Sequence, residues 1–491
     1  MVRKSCLIIL IVLLVLFAQT SSAAIKNVIL MIGDGMGFEQ VKAASFYAYG
    51  EEKSLPFEKY YRGEVTTHSA NSYTHDLHAT DSAAAATAMA TGQKINDDVV
   101  SQKAGKPIET ILEISKKMGK ATGLVTTKYL TDATPAAFGA HTSHDNNRGD
   151  IANDYLNQTR PNILFGAYLA NGKGMTADKA EQAGYTVIKT REQMKHVVEV
   201  VNQTSVEEVF IAGLFSPDAM PWEYNFYYPD KNPLSQLLKR SMPSYDTIPH
   251  LSEMTEAALN ILDNDPNGFF LMAEGARIDS AGHNNLIEFN VFETLEFANA
   301  FQVALDWAEN RNDTLIIVTA DHECGGLVVK KNRGKGFIPE VSWRWDNHTG
   351  ANVPIYAIGE GAEEFKGVID NTQIFTIIMK LIKTESAEKD SSPNTLTQAA
   401  LETHTRYVKA VKVGPSDEIP EQYWTDRIKA LNPIKVYIHK VNIVVVQKMS
   451  GNTEQGKYIY IPISSYIPTS GDDGFTFTRE SDDVYNFTRN K

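Results

Sequence analysis

Cysteine is nearly absent from this 491-residue chain: Cys6 and Cys324 are its whole complement. Cys6 falls in an N-terminal apolar segment that reads as cleaved, so the mature chain closes no internal disulfide. Its stability must come from a buried core and from any bound metal. Basic charge is also scarce, with 47 Lys and Arg against 60 Asp and Glu and a formal net charge of −13. That balance disfavours nucleic-acid binding. It also repels anionic ligands at long range, so an anion site here needs local positive charge such as a metal ion. Long hydrophobic runs are missing too. The one at the N-terminus, Leu7 to Phe17, is shorter than the ~20 residues of a spanning helix.

What is present around that run is the pattern of an export signal: Arg3 and Lys4 before it and Ser21-Ser22-Ala23 after it. Residues 1–23 are therefore expected to be a signal peptide, placing the mature protein outside the cytoplasm. Their loss removes two basic residues and takes the net charge from −13 to −15. Over 24–384, continuous apolar runs read as buried parallel strands: Val28 to Ile32, Thr122 to Thr126, Phe269 to Met272, Leu315 to Val318 and Val353 to Ile358. Helical patterns alternate with them, including Ile108 to Lys117, Met254 to Leu262, Asn290 to Trp307 and Thr372 to Ile382. The expectation is an α/β domain with a mainly parallel central sheet and helices on both faces. The polar stretch Thr384 to Ser392 suits a linker. Strand-like segments at Lys435 to Gln447 and Lys457 to Ile467 suggest a small β-rich extension over 385–491.

Three of the strands run into acids: Val28 to Ile32 into Asp34, Phe269 to Met272 into Glu274, and Leu315 to Val318 into Asp321-His322. Ligands of open α/β sheets bind at the carboxyl ends of strands, so these acids should converge. Singly, each is as easily a turn-forming acid. Together, and with histidines adjacent, they point to metal. The run Gly33-Asp34-Gly35-Met36-Gly37 lacks dinucleotide-loop spacing, so its glycines serve sharp turning and close approach. Asp279 and His283 stand four residues apart, and His348 offers a second imidazole; a carboxylate with two imidazoles is a common open zinc set. Thr80-Asp81-Ser82 precedes a small-residue helix ending at Gly92. Ser82 thus reads either as an ordinary N-cap or as a hydroxyl activated at a positive helix end.

These segments resemble, in order, the motif set of the alkaline phosphatases: Gly33-Asp34-Gly35, Thr80-Asp81-Ser82-Ala83, Asp132-Ala133-Thr134-Pro135, Glu274-Gly275-Ala276-Arg277-Ile278-Asp279, Thr319-Ala320-Asp321-His322 and His348-Thr349-Gly350. The resemblance spans about residues 26–384. It implies hydrolysis of phosphate monoesters through a phosphoserine at Ser82, with two Zn2+ and one Mg2+. One zinc would take Asp279, His283 and His348, and the other Asp34, Asp321, His322 and Ser82. Magnesium would take Asp34, Thr134 and Glu274, with Asp132 nearby through water.

Two departures stand out. Ser280 replaces the bulkier residue of some members, and Asp145 stands where members usually place an arginine. Arg148, three residues further on, is the candidate phosphate clamp, with Arg277 a weaker one. Competing expectations are a phosphodiesterase or sulfatase on the same scaffold, or a non-catalytic, metal-stabilised surface protein. The family is often dimeric, so a homodimer is compatible with the chain.

Overall fold

The structure, a computed structural model, describes residues 25–72, 79–202, 209–227 and 245–391, the last nine by their backbone alone, together with the backbone of five C-terminal strands. The expected signal peptide lies outside the described residues. Two compact units are present, Met1–Asp390 and Ser391–Lys491.

The first unit is built on ten strands: β1 (Asn27–Gly33), β2 (Tyr61–Thr66), β3 (Ala121–Tyr129), β4 (Ile163–Tyr168), β5 (Thr186–Ile188), β6 (Ile211–Pro217), β7 (Phe269–Gly275), β8 (Thr314–Thr319), β9 (Val353–Gly359) and β10 (Gly367–Asp370). Their order in the sheet is β10-β2-β9-β8-β1-β7-β3-β4-β6-β5. β1, β7 and β8 are buried at every position, as strands covered on both faces must be. The covering helices include α1 (Phe38–Tyr49), α2 (Ser82–Thr91), α3 (Ala133–Gly139), α4 (Arg148–Asp154), α5 (Leu251–Leu262), α6 (Arg277–His283), α7 (Ile287–Trp307) and α8 (Asn371–Ser391).

The register of the central strands aligns their carboxyl ends. Ile32 of β1 pairs with Glu274 of β7 and with Thr319 of β8, all parallel. Asp34, Glu274 and Asp321 therefore leave the sheet along one edge. β9 differs from expectation: it runs antiparallel to both β8 and β2. A parallel partner needs a crossover, usually helical. The chain between β8 and β9 instead forms short ribbons, pairing Glu323–Cys324 with His348–Thr349 and Val328–Lys331 with Glu340–Ser342.

α8 continues to Ser391, through the polar stretch expected as a linker. The residues beyond Ile382 are good helix formers (Lys383, Glu385, Ala387, Glu388, Lys389), so propensity sustains the helix after the apolar periodicity stops. In the second unit, Lys435–His439, Asn442–Gln447, Lys457–Pro462, Phe475–Ser481 and Val484–Arg489 form one antiparallel five-stranded sheet. Among the described residues, no helix is long and apolar enough to cross a membrane.

Candidate active site

Beyond β1 the backbone turns at Gly35, whose φ of +70° favours glycine and whose Cβ would meet Asp279 Cα at 2.8 Å and Cys324 Cβ at 2.9 Å. Gly35 N–H donates to Asp321 Oδ1 at 3.1 Å, and the same oxygen accepts from His322 N–H at 3.0 Å. The β1 turn and the segment after β8 are thus locked together. α6 is only seven residues long, but it presents Asp279 and His283 on one face, four apart.

Two donor sets converge here. His283 Nε2 lies 3.1 Å from His348 Nε2, and each is close to Asp279 Oδ1, at 3.3 and 3.4 Å respectively. His322 Nε2 lies 3.1 Å from Ser82 Oγ, 3.2 Å from Asp321 Oδ2 and 3.6 Å from Asp34 Oδ1. Ligands about 2.0–2.1 Å from a tetrahedral zinc stand ~3.3 Å apart, so the first set has the edge lengths of a zinc site, and the second approaches them at the three distances from His322. The tautomers suit it as well. His283 Nδ1 is bonded to Asp346 O at 2.7 Å and His348 Nδ1 to Thr80 O at 2.8 Å, which leaves each Nε2 lone pair facing Asp279.

The remaining buried atoms repeat the argument. Asp34 Oδ1, Asp279 Oδ1, Asp321 Oδ2 and Glu274 Oε1 have no hydrogen-bond partner, although buried acceptors are ordinarily satisfied. Burial, then Asp279, pushes the Asp321 carboxyl up to about 6. Burial and neighbouring carboxylates raise Asp34 well above its usual value. Four carboxylates packed this tightly need a countercharge, and a divalent cation supplies one.

Ser82 opens α2, and Asp81 is its N-cap: Asp81 Oδ1 accepts from Ala84 N–H at 2.9 Å. The ordinary cap is therefore the aspartate. Ser82 stands one residue inside the helix, with its hydroxyl turned to His322 rather than to its own backbone.

Asp132 caps α3 without using its side chain. Its Oδ1 pairs with Arg148 Nη1 at 3.0 Å and its Oδ2 with Lys128 Nζ at 3.1 Å. Arg148 also donates to Thr131 O at 2.7 Å and lies over the Tyr129 ring, 4.8 Å from its centroid. Asp145 turns to its neighbour, accepting from His144 Nδ1 at 2.8 Å. Arg277 lies against Trp222, 3.4 Å from the ring centroid, and donates to Met220 O; it braces the chain beyond β6. Thr134 is buried on α3. Glu274 accepts from Thr126 Oγ1 at 2.6 Å, and its carboxyl is pushed up to about 8 chiefly by burial.

The magnesium set fits less well than the two zinc sets. An ammonium, that of Lys128, already faces its carboxylates. Burial opposes this charge, but Asp132, Asp34, Asp279 and Glu274 outweigh it and hold the lysine pKa well above its ordinary value.

Two residues of the centre were not singled out from sequence for this chemistry. Lys128 gave no local signal. Cys324, noted only as unpaired, is buried and close enough to Asp279, His283 and His348 to share a metal cluster with them. It lies directly across the ribbon from His348.

Known proteins resemble this chain in sequence and fold. The alkaline phosphatase family model matches residues 25–339 and 336–384. Alkaline phosphatase 4 of Bacillus subtilis is 30% identical over 447 residues, covering 74% of this chain and 90% of its own length. Alkaline phosphatase of Escherichia coli K12 is 30% identical over 406 residues, covering 71% and 84%. Among solved structures, the cold-active alkaline phosphatase of Shewanella sp. superposes with a TM-score of 0.60 at 27% identity, covering 72% of this chain and 99% of its own. A variant of the TAB5 alkaline phosphatase, solved with magnesium, gives 0.58 at 27% identity, covering 74% and 99%. With family model, relatives and fold in agreement, this chain belongs to the alkaline phosphatase family.

Proposed function

We propose that this enzyme hydrolyses phosphate monoesters in two steps through a phosphoserine at Ser82. The observation that carries this reading is the 3.1 Å approach of Ser82 Oγ to His322 Nε2, beside Asp34 and Asp321 and next to the Asp279–His283–His348 set. Zinc ions held by these two sets would ionise the serine hydroxyl and neutralise the departing alkoxide.

The chain's own groups do the rest. Ser82 Oγ attacks phosphorus in line, the P–O bond to the alcohol breaks, and phosphate is left on the serine. Water then attacks the same phosphorus from the opposite side, returning the serine oxygen and releasing inorganic phosphate. The α2 N-terminus, with its free amides and positive dipole end, favours the negative charge that accumulates during both steps. Arg148, held by Asp132 and Thr131, is the side chain we assign to gripping the phosphoryl oxygens with its planar fork. The resemblance's magnesium at Asp34, Thr134 and Glu274 is the one part of the cofactor reading that Lys128 opposes.

We also read residues 1–23 as an export signal and 24–384 as the catalytic domain, with 385–491 an extension outside the chemistry. Substrates are small phosphate monoesters. The test is turnover of p-nitrophenyl phosphate against the corresponding bis-ester and sulfate by metal-loaded protein. Monoester turnover at least tenfold above the other two is expected. A preference for the diester or the sulfate would overturn the assignment.

A further inference from the structure

β3 does not stay in register with β4. Val125 pairs with Phe165 and Tyr129 with Ala167, so four steps on one strand match two on the other. A bulge of this kind re-aims side chains beside a site. Gly166 makes room for it: a Cβ there would come within 3.2 Å of Thr126 Cγ2, Thr126 O and Lys128 O. The bulge is also tied to the acidic centre. Lys128 N–H donates to Thr126 Oγ1 at 3.1 Å, and that hydroxyl donates to Glu274 Oε2 at 2.6 Å. From this base the Lys128 side chain reaches Asp132 Oδ2, 3.1 Å from its Nζ, and its charge is next felt at Asp34, Asp279 and Glu274.

The resemblance gives magnesium Asp34, Thr134 and Glu274, with Asp132 nearby through water. Mg2+ demands a near-octahedral shell of oxygens at about 2.0–2.1 Å. An ammonium has no lone pair to offer that shell, and its charge repels the ion while pairing with Asp132. It is a fixed cation that needs no loading.

We propose that the Lys128 ammonium takes the place of the third metal ion, so that the working chain holds two zinc ions and no magnesium. Lys128 is then a positioning residue: it fixes Asp132, and through Asp132 the guanidinium of Arg148. The proposal rests on the two-metal reading of the site, and its test reads metal content separately from turnover.

Full-length protein is stripped, reloaded with excess zinc and magnesium, desalted and analysed by elemental mass spectrometry. Two zinc ions per chain and magnesium at background are expected. In zinc-loaded Lys128→Ala, electron paramagnetic resonance during a Mn2+ titration should show one new site, from which Mg2+ displaces the probe; wild type should show none. One magnesium retained per wild-type chain would overturn the proposal, as would a folded Lys128→Ala that gains no Mn2+ site. If Lys128→Ala does not fold, Lys128→Met preserves the stem and is titrated instead, while the wild-type count decides by itself. Two bound zinc ions without monoester turnover would sink the hydrolytic reading and leave the metal count intact.

Discussion

Ser82 Oγ and His322 Nε2 meet at 3.1 Å although 240 residues separate them. One belongs to the first turn of α2 and the other follows β8. Because Asp81 does the capping, replacement of Ser82 removes a hydroxyl and spares the cap. Ser82→Ala should keep its melting temperature within a few degrees and lose covalent phosphorylation. Peptide mass spectrometry of an acid-quenched reaction checks this; a phosphate on any other residue would displace Ser82 as nucleophile.

Arg148→Ala should reduce kcat/KM by about 1.5–3 kcal/mol and weaken inhibition by phosphate, because a charge-assisted, two-pronged contact is lost. Arg148→Lys should recover part of the loss, since it keeps charge and forfeits the fork. Unchanged kcat/KM and phosphate inhibition in Arg148→Ala would leave this guanidinium with only its contacts to Asp132, Thr131 and Tyr129.

Exhaustive chelation should abolish activity, and zinc should restore it. His348→Ala should lose one zinc ion while the fold persists, because the ribbon between Glu323–Cys324 and His348–Thr349 is made by backbone. Inductively coupled plasma analysis paired with circular dichroism reads both. Full activity in protein verified free of metal would remove the metal reading.

A stability test lies away from the metals. Glu293 on α7 accepts from Glu223 N–H at 2.8 Å, and burial, then the charge of Glu223, raises its carboxyl to about 8 from an ordinary 4.5. The folded chain thus keeps this proton after the unfolded chain has released it. The stabilisation is complete below about 4.5 and is lost as pH climbs through about 8. Glu293→Gln mimics the protonated form and still accepts the bond. Between about pH 5 and pH 9 its melting temperature should fall less than that of wild type. Parallel melting curves for the two across that range would refute the assignment.

How far sequence reaches is visible at individual residues. Asp34, Glu274 and Asp321 were legible because apolar strands end in them, and parallel register brings such ends together. Ser82 was ambiguous, since helix-start signals do not say which of two neighbouring residues caps. Lys128 was invisible: its direction depends on a bulge whose counterpart, Gly166, lies on the next strand. The nearness of Cys324 to His348 was hidden for a similar reason, because the pairing spans the whole of residues 325–347. The reversed β9 needed a connection that local pattern does not encode, whereas the length of α8 lay in helix propensity rather than in the apolar period.

The ribbon that joins Cys324 to His348 has a further effect. It closes the base of a long excursion, residues 325–347, so the spacing of the metal-facing side chains does not depend on how many residues the excursion contains. At its far end Gly334 and Gly336, with φ of +88° and +80°, have open space where a Cβ would stand, and Phe337 is 65% exposed. Insertions and deletions should be tolerated there while the metal-facing side chains keep their places.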